Sequence, residues 1–354
     1  MEFSEIIAKF DLKEPILSCN PYGNGHINST FVLSDKKGKR FILQRVNTNV
    51  FKKPEEVMSN IYKVTEYLKK RTLNPRSVMS LVPLKNGENF FIDGDGCWRM
   101  YDFIEDSVCI DTPENSRDFY ECGVGFGTFQ RQLSKFPAEE LYETIPDFHN
   151  TPKRYEAFLE ALEKDEFGRA SEVKEEIEFV KSRKDFMSVL FDAHNEGRLP
   201  LRVTHNDTKI NNIMLDGKTR RALCVIDLDT IMPGFSATDF GDSIRSGAMI
   251  AAEDEKDLSR VELNLEYFEA YTAGFLAGCG GLLDKEEIRL FPEGAKIMTL
   301  ECGMRFLTDY LNGDTYFKTH REKQNLDRCR TQFKLVRDME ENWDTLKAIV
   351  EKYL

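Results

Sequence analysis

Residues 204–227 read THNDTKINNIMLDGKTRRALCVID, and the alternation of polar and apolar segments in this stretch predicts a hairpin. A polar loop leads into the short apolar run 213–215, and a second apolar run, 223–226, lies a few residues further on. The dipeptide Asp216-Gly217 between them is a strong turn signal. We therefore expect the two runs to pair as antiparallel strands.

This hairpin determines which polar side chains lie close together. Folding about the turn brings residue 227 back beside residue 212, so Asn212 and Asp227 become neighbours, and Asp207 lies on the loop that leads in. An amide oxygen and a carboxylate side by side are hard ligands that suit Mg²⁺ bound to phosphates. A further carboxylate can accept a proton from an attacking hydroxyl.

The order of these groups is typical of a eukaryotic-like kinase site, in which a loop Asp is the base and an Asn and a later Asp hold magnesium. His205, two residues before Asp207, is expected to be a structural brace. The tripeptide Asp239-Phe240-Gly241 resembles the magnesium motif of protein kinases but does not end an apolar strand. We expect Asp239 or Asp242 to brace the catalytic loop instead.

The first hundred residues predict a small sheet with one helix. Residues 27–33 and 40–46 form one hairpin around a turn, and residues 89–92 and 98–103 form two more strands. A helix beginning at Pro54 has apolar residues on one face. After about residue 105 the pattern becomes helical, with helices expected at residues 116–133, 155–164, 172–195, 257–276 and 285–311. The last of these is expected to be interrupted near residues 292–294, and residues 323–354 are expected to form one or two helices.

These elements predict an α+β, two-lobed, protein-kinase-like fold with a small antiparallel sheet lobe and a large helical lobe. We place an N-terminal nucleotide-binding lobe at residues 1–103 and a C-terminal catalytic lobe at residues 104–354. Ligands are expected in the cleft between the lobes.

The nucleotide site is expected to combine a glycine loop, a cation and a hinge. Gly23 and Gly25 precede a strand, where their backbone N–H groups could approach phosphate. The next strand has no interior Lys, so Arg45 is the candidate phosphate cation. Tyr101 and Phe103 lie on the extended segment expected to meet adenine. The glycines of ECGVGFGTFQRQL, by contrast, lie within a helical pattern and indicate close helix packing.

Composition excludes several classes of protein. The net charge of −12 argues against nucleic-acid binding, because phosphate backbones require clustered Lys and Arg. No apolar run approaches the roughly 20 residues that span a bilayer, and the N-terminus lacks the features of a secretory signal. Eight scattered cysteines without a CxxC pair indicate reduced thiols. We expect a cytoplasmic enzyme, and the oligomeric state is left open.

Four segments resemble one family. THNDTKINN, VIDLDTIMPG, FILQRVNTNVFKKPE and MRFLTDYLNGDTYF are similar to segments of the N-acetylhexosamine 1-kinases, which belong to the aminoglycoside phosphotransferase-like group. The resemblance implies transfer of the ATP γ-phosphoryl, with Mg²⁺, to the anomeric hydroxyl of N-acetylglucosamine or N-acetylgalactosamine. It implies Asp207 as base and Asn212 and Asp227 as metal ligands.

On the same resemblance, the sugar is expected to contact groups around the base and groups from the C-terminal helices. The nominated residues are Asp229, Thr230, Arg305 and Tyr316. The segment 147–155, DFHNTPKRY, is a further candidate for the wall of the sugar site. Two alternatives stay open: another small-molecule hydroxyl kinase, acting on an aminoglycoside or a choline-like alcohol, and a non-catalytic nucleotide-binding regulator.

Overall fold

The computed structural model describes residues 3–23, 27–94 and 96–354. A five-stranded antiparallel sheet lies near the N-terminus, in the order β1-β2-β3-β5-β4. Its elements are α1 (Phe3–Ile7), β1 (Ile16–Pro21), β2 (Ser29–Asp35), β3 (Arg40–Val46), α2 (Pro54–Lys69), β4 (Phe90–Asp93) and β5 (Gly96–Asp102). The sheet predicted from the sequence is confirmed, and β1 is an additional strand.

The rest of the chain is mainly helical, with two small sheets that carry the polar loops. The strands are β6 (Ser107–Cys109), β7 (Arg202–Thr204), β8 (Ile213–Asp216), β9 (Ala222–Val225) and β10 (Met232–Gly234). The helices are α3 (Ser116–Gln132), α4 (Thr151–Lys164), α5 (Lys174–Lys181), α6 (Val189–Asn195), α7 (Ser236–Gly247), α8 (Leu265–Cys279), α9 (Lys285–Arg289), α10 (Phe291–Leu311), α11 (Gln324–Glu341) and α12 (Trp343–Glu351). This mixed architecture confirms the α+β, two-lobed fold.

Two helical predictions were wrong in their extent. The segment 172–195 forms α5 and α6 rather than one helix, because Arg183 leaves helical geometry. Its guanidinium instead binds both carboxylate oxygens of Glu340 on α11, at 2.9 and 2.6 Å. The helix expected from residue 257 begins at residue 265, where the Asn264 side chain accepts the Tyr267 N–H and caps the first turn.

The sequence patterns did not predict α7, which is short and contains Gly241 and Gly247, two residues of low helix propensity. Almost all of its polar side chains are buried. The helix packs along α10, where Gly241 meets the backbone of Gly294. It therefore places Asp239 and Asp242 inside the protein, directly under the loop that carries Asp207.

Close packing of α3 against α8 explains the glycine-rich ECGVGFG segment. A Cβ atom at Gly123 or Gly127 would lie 2.7 Å or less from the backbone of α8. Gly274 and Gly278 of α8 meet the backbone of α3 in the same way. The glycines thus allow two helices to touch, which confirms the packing interpretation over a phosphate loop.

Polar contacts join the sheet and α2 to the helical region. The Asn60 amide of α2 donates to the carbonyls of Tyr142 and Ile231 at 2.8 and 2.9 Å. Arg76 forms an ion pair with Asp216 on the hairpin. The main apolar cluster also runs from α2 and β5 into α3, α7 and α8. The domain boundary at residues 103–104 stays a prediction.

In the described part of the chain, helices that combine the length and the apolar character needed to cross a bilayer are absent.

Candidate active site

The β8–β9 hairpin forms as its sequence predicts. Ile213 pairs with Val225, and the Ile226 N–H donates to the Asn212 carbonyl at 2.9 Å. At the turn, Asp216 Oδ1 accepts the backbone N–H groups of residues 218 and 219 at 3.1 and 2.9 Å. Residues 212 and 227 are therefore brought together at the open end of the hairpin, which confirms the local prediction.

Asp207 lies at this open end, with its carboxylate partly accessible. The side chain is 25% exposed. The Asn212 amide donates to the Asp207 carbonyl at 2.8 Å and to its Oδ2 at 3.1 Å, and Lys209 Nζ lies 3.6 Å from Oδ1. A carboxylate held in this way has an open side from which a hydroxyl could approach.

His205 and Asp239 hold the loop from below. Asp239 accepts the backbone N–H groups of His205 and Asn206 at 2.9 and 2.8 Å. His205 Nε2 donates to the Ile226 carbonyl at 2.8 Å, and its Nδ1 accepts the Asp207 N–H at 3.2 Å. Both side chains are buried, and their hydrogen bonds to the backbone of the loop confirm the prediction that they act as braces.

Asp227 occupies an electrostatically strained position. It adopts left-handed backbone geometry with φ of 58°, a conformation that Asp tolerates better than most residues. Burial, together with the negative charges of Asp229 and Asp207, raises the pKa of Asp227 to about 7. A divalent cation would remove this penalty by stabilising the ionised carboxylate.

Asp229, nominated for sugar binding, forms an ion pair beneath the cleft. Its Oδ1 lies 2.5 Å from Arg99 Nη1, and its Oδ2 accepts the Asn28 amide at 2.7 Å. Asp229 is 3% exposed, and Arg99 is more deeply buried. Arg99 and Asn28 thus contact both oxygens of the Asp229 carboxylate. These contacts connect the sheet to the loop after Asp227.

The prediction of Arg45 as phosphate cation is wrong. Arg45 shares a sheet face with Phe41 and Leu43, as expected, but this face packs with α1 and Trp98 on the outside of the sheet. The cleft side of β3 carries Gln44, whose Oε1 accepts from Arg99 Nε at 3.0 Å. The nearby acids are also paired elsewhere, since Glu56 binds Lys53 and Glu66 binds Lys69.

The remaining nucleotide-site predictions are not tested by these contacts. Gly23 has a φ of +74°, which favours glycine, and Gly25 lies outside the described residues. The Tyr101 ring is buried in the core. The Phe103 N–H donates to the Arg40 carbonyl at 3.2 Å, and the Arg40 guanidinium covers the Phe103 ring at 3.8 Å. A hinge role for Tyr101 and Phe103 stays a prediction.

Two cavities meet at Asp207. The first, about 320 Å³, extends over Asn212, Asp227 and Gln44 and is called the donor pocket below. The second, about 200 Å³, reaches α10 and is called the acceptor pocket. Asp207 and Lys209 line both cavities.

The acceptor pocket brings several nominated residues together. The Arg305 guanidinium lies 5.8 Å from the centroid of the Tyr316 ring and 5.4 Å from that of Phe148. Thr230 also lines this pocket, although its hydroxyl donates to the His205 carbonyl at 2.7 Å. Phe148 and His149 of the DFHNTPKRY segment line this pocket, and a sugar-binding role for the segment stays a prediction.

Sequence reasoning missed Lys209 as a cleft cation. Its Nζ lies beside Asp207, and the negative charge of that carboxylate raises the pKa of Lys209. The signal was present in the sequence, because Lys209 follows Asp207 by two residues on the same loop. Two other cations near the cleft, Arg99 and Arg245, form ion pairs with Asp229 and Asp242.

A family model described as the Phosphotransferase enzyme family matches residues 18–278, about three quarters of the chain. The chain belongs to this phosphotransferase family. The matched range includes the donor-pocket residues Gln44, Asn212 and Asp227, as well as the loop that carries Asp207.

Solved structures of similar shape agree with the fold. A microcompartment-associated aminopropanol kinase is 14% identical with a TM-score of 0.65, and the alignment covers 98% of both chains. An aminoglycoside phosphotransferase from Alicyclobacillus acidocaldarius is 12% identical (TM-score 0.62; 98% of this chain, 95% of that one). An amicoumacin kinase in complex with AMP-PNP, Ca²⁺ and Ami is 14% identical (TM-score 0.60; 96% of both). At these identities the similarity shows a shared fold.

The donor set of this phosphotransferase fits a magnesium–nucleotide complex. Among the described residues, no group of three or more His, Cys, Asp or Glu side chains is arranged so that it could hold a metal ion. Asn212 and Asp227 instead offer two oxygen ligands beside a pocket, and Mg²⁺ usually completes its shell with phosphate oxygens and water. The raised pKa of Asp227 is consistent with a carboxylate that requires a cation.

Proposed function

We propose that this phosphotransferase transfers the γ-phosphoryl of ATP to the anomeric hydroxyl of an N-acetylhexosamine, giving the hexosamine 1-phosphate and ADP. The observation that carries the proposal is the meeting of the donor and acceptor pockets at Asp207. A base at this junction could reach a hydroxyl in one pocket while a phosphate lies in the other.

The charges of the acceptor pocket disfavour a cationic substrate. Its wall carries five Lys or Arg residues (Lys209, Arg245, Arg305, Lys318 and Arg328) and four Asp or Glu residues (Asp207, Asp242, Glu253 and Glu301). Arg245 binds Asp242, and His149 binds Glu301. A choline-like or aminoglycoside cation would therefore find little uncompensated negative charge here, whereas a sugar could use the polar groups and the aromatic rings.

The chemistry assigns a role to each side chain at the junction. Asp207 accepts the proton of the anomeric hydroxyl as its oxygen bonds to the γ-phosphorus, and the bond from that phosphorus to the bridging oxygen breaks to release ADP. Lys209 offsets negative charge on the transferring group. Asn212 and Asp227 would hold Mg²⁺, which neutralises charge on the phosphates when bound.

An ADP-release assay with a panel of acceptors tests the proposal. The panel contains N-acetylglucosamine, N-acetylgalactosamine, glucose, choline and an aminoglycoside, each with ATP and Mg²⁺. We expect turnover with the two N-acetylhexosamines and a product whose ³¹P–¹H coupling places the phosphate on the anomeric carbon. Turnover with choline or the aminoglycoside, and with none of the sugars, would contradict the proposal and favour a different hydroxyl kinase. Nucleotide binding without acceptor-dependent ADP release would favour the non-catalytic regulator.

A further inference from the structure

His149 makes two contacts that connect the acceptor pocket to the catalytic loop. Its Nδ1 lies 2.9 Å from Glu301 Oε1 on α10, and its Nε2 lies 2.8 Å from the Asn206 carbonyl oxygen. The ring also packs on Phe148, with centroids 4.4 Å apart, and Phe148 lines the acceptor pocket. One imidazole thus contacts the pocket wall and the residue immediately before Asp207.

The partners of this ring require a proton on both nitrogens. A carbonyl oxygen can only accept, so Nε2 must donate to Asn206. Burial favours the neutral acid at Glu301, but the charge of His149 and the hydrogen bond between them outweigh it, and the pKa of Glu301 lies below its ordinary value. An ionised carboxylate also only accepts, so Nδ1 must donate as well. With Glu301 ionised, the two contacts therefore fit an imidazolium at His149.

The surrounding charges agree with this protonation state. Burial would lower the pKa of His149, but the charge of Glu301, the two hydrogen bonds and the charge of Asp242 raise it above its ordinary value. The charged groups that surround His149 and Glu301 are Glu301 and Arg305 on α10, Asp242 on α7 and Arg154 on α4. The two carboxylates are the groups that act on His149 itself, and both favour the cation.

The contact with Asn206 fixes the peptide bond on which the base depends. The Asn206 carbonyl accepts from His149, and the N–H of the same peptide, that of Asp207, donates to His205 Nδ1. Asn206 also has a left-handed φ of 63°, a geometry that needs such support. Two imidazoles therefore hold the Asn206–Asp207 peptide plane from opposite edges.

We propose that protonated His149 is a positioning residue that sets the orientation of Asp207 and couples it to the wall of the acceptor pocket. This inference rests on the proposed phosphoryl transfer with Asp207 as base. When His149 loses a proton, one of its two contacts loses its donor. The ionised Glu301 is the stronger acceptor and keeps the remaining proton on Nδ1, so Nε2 no longer donates to the Asn206 carbonyl. The Asn206–Asp207 peptide is then held from one side only, and turnover falls.

The pH dependence of kcat in the full-length protein with Mg²⁺-ATP and N-acetylglucosamine is the first test. We expect kcat of the wild type to fall on the alkaline side as His149 deprotonates. His149→Gln, which is never charged, should lower kcat by about 10- to 100-fold, the range typical of a misplaced catalytic group. It should also remove this alkaline fall while leaving the KM for ATP within about twofold. His194→Gln, on α6, is the matched control and should keep the wild-type profile.

Glu301→Gln provides a second variant that keeps the imidazole. Loss of the carboxylate should lower the pKa of His149, so the alkaline fall in kcat should move to lower pH. An unchanged profile in Glu301→Gln, or a His149→Gln variant with wild-type kcat and pH profile, would overturn the proposal.

Nitrogen NMR of the histidine ring separates this inference from the proposed function. At a pH above the reference His value of about 6.5, both nitrogens of His149 should carry protons in the wild type. In Glu301→Gln one should be unprotonated. A neutral His149 in the wild type would overturn the inference even if the sugar is phosphorylated. If no acceptor is phosphorylated, the proposed function fails, and with it the positioning role, although the NMR result still decides the protonation state.

Discussion

The donor and acceptor pockets share Asp207 and Lys209 but treat buried charge in opposite ways. In the donor pocket, Asp227 lies near Asp229 and Asp207, and its pKa is raised to about 7. In the acceptor pocket, Asp242 is paired with Arg245, and Glu301 with His149. The pKa values of Asp242 and Glu301 are lowered, although burial acts to raise both.

The contrast indicates what each pocket is built to receive. An uncompensated carboxylate is costly to bury, and a bound cation relieves the cost, so the donor pocket suits a metal–nucleotide complex. Carboxylates that already have partners leave little negative charge to attract a cation, so the acceptor pocket suits a polar molecule without positive charge.

Asp207→Asn should cause the largest loss, because it removes the base from the junction of the two pockets. We expect kcat to fall by about 100-fold or more, with the dissociation constant for ATP nearly unchanged. Steady-state kinetics and calorimetric titration with ATP measure the two quantities. Asp344→Asn, on the exposed part of α12, is the control. Normal turnover in Asp207→Asn would refute its assignment as base.

Lys209→Met should cause the next largest loss of activity. Lys209 lines both pockets, so its ammonium group can offset the negative charge of the phosphoryl group during transfer. We expect kcat to fall by about 10- to 100-fold, with a smaller change in the KM for the acceptor. Lys218→Met, at the exposed hairpin turn, keeps the hairpin and provides a matched control. If both variants show wild-type kcat, charge at this position has no part in the transfer.

The hairpin and the chemistry of its loop could be predicted because they depend on local sequence. The Asp216-Gly217 turn sets which strands pair, and pairing places residues 212 and 227 together. The same reasoning correctly placed Arg45 on the same face of the sheet as Phe41 and Leu43. Strand alternation shows which side chains share a face, but it does not show which face meets the cleft, and this is why Arg45 was misassigned.

Long-range pairs were beyond prediction for a related reason. Arg99 and Asp229 are 130 residues apart in sequence and meet only after the sheet packs on the helical region. His149 and Glu301 are 152 residues apart. Helix α7 was missed because it is short and contains two glycines, and because the contacts that bury its polar face against the catalytic loop form only in the folded protein.

Arg305→Ala tests the acceptor pocket alone. The guanidinium lies among aromatic rings in that pocket, away from the donor side, so we expect the KM for N-acetylglucosamine to rise about tenfold and the KM for ATP to stay unchanged. Arg305→Lys, which keeps the charge but not the planar fork, should give an intermediate value. A rise in the KM for ATP instead would show that the two pockets are not separate.

Asp227→Asn tests the uncompensated charge of the donor pocket through stability. The unfolded carboxyl has a pKa of about 3.9, and the folded pKa is about 7. Between these values the folded state binds more protons, so the metal-free wild type should lose stability as pH rises through this window and remain destabilised above it. Asp227→Asn cannot ionise at this position and should not lose stability in this way. Its melting temperature above pH 7 should be about 1–3 °C higher than that of the wild type.

Mg²⁺ provides the complementary measurement for the same position. Added Mg²⁺-nucleotide should raise the melting temperature of the wild type more than that of Asp227→Asn, because only the wild type gains a carboxylate–metal bond. If the metal-free wild type is instead stabilised as pH rises through this window, the carboxylate is not held in an unfavourable charged environment.

Arg45→Ala should have the smallest effect on activity, because the side chain lies on the face of the sheet that points away from the cleft. Arg45 is exposed on the outer face, so we expect kcat and the KM for ATP to change by less than about twofold. Arg99→Met, on the inner face, would leave the buried Asp229 carboxylate without its cation. Breaking such a buried ion pair lowers the free energy of unfolding by about 3–5 kcal/mol. Chemical denaturation and kinetics of both variants make the comparison, and a tenfold rise in the KM for ATP in Arg45→Ala would mean that this side chain reaches the nucleotide after all.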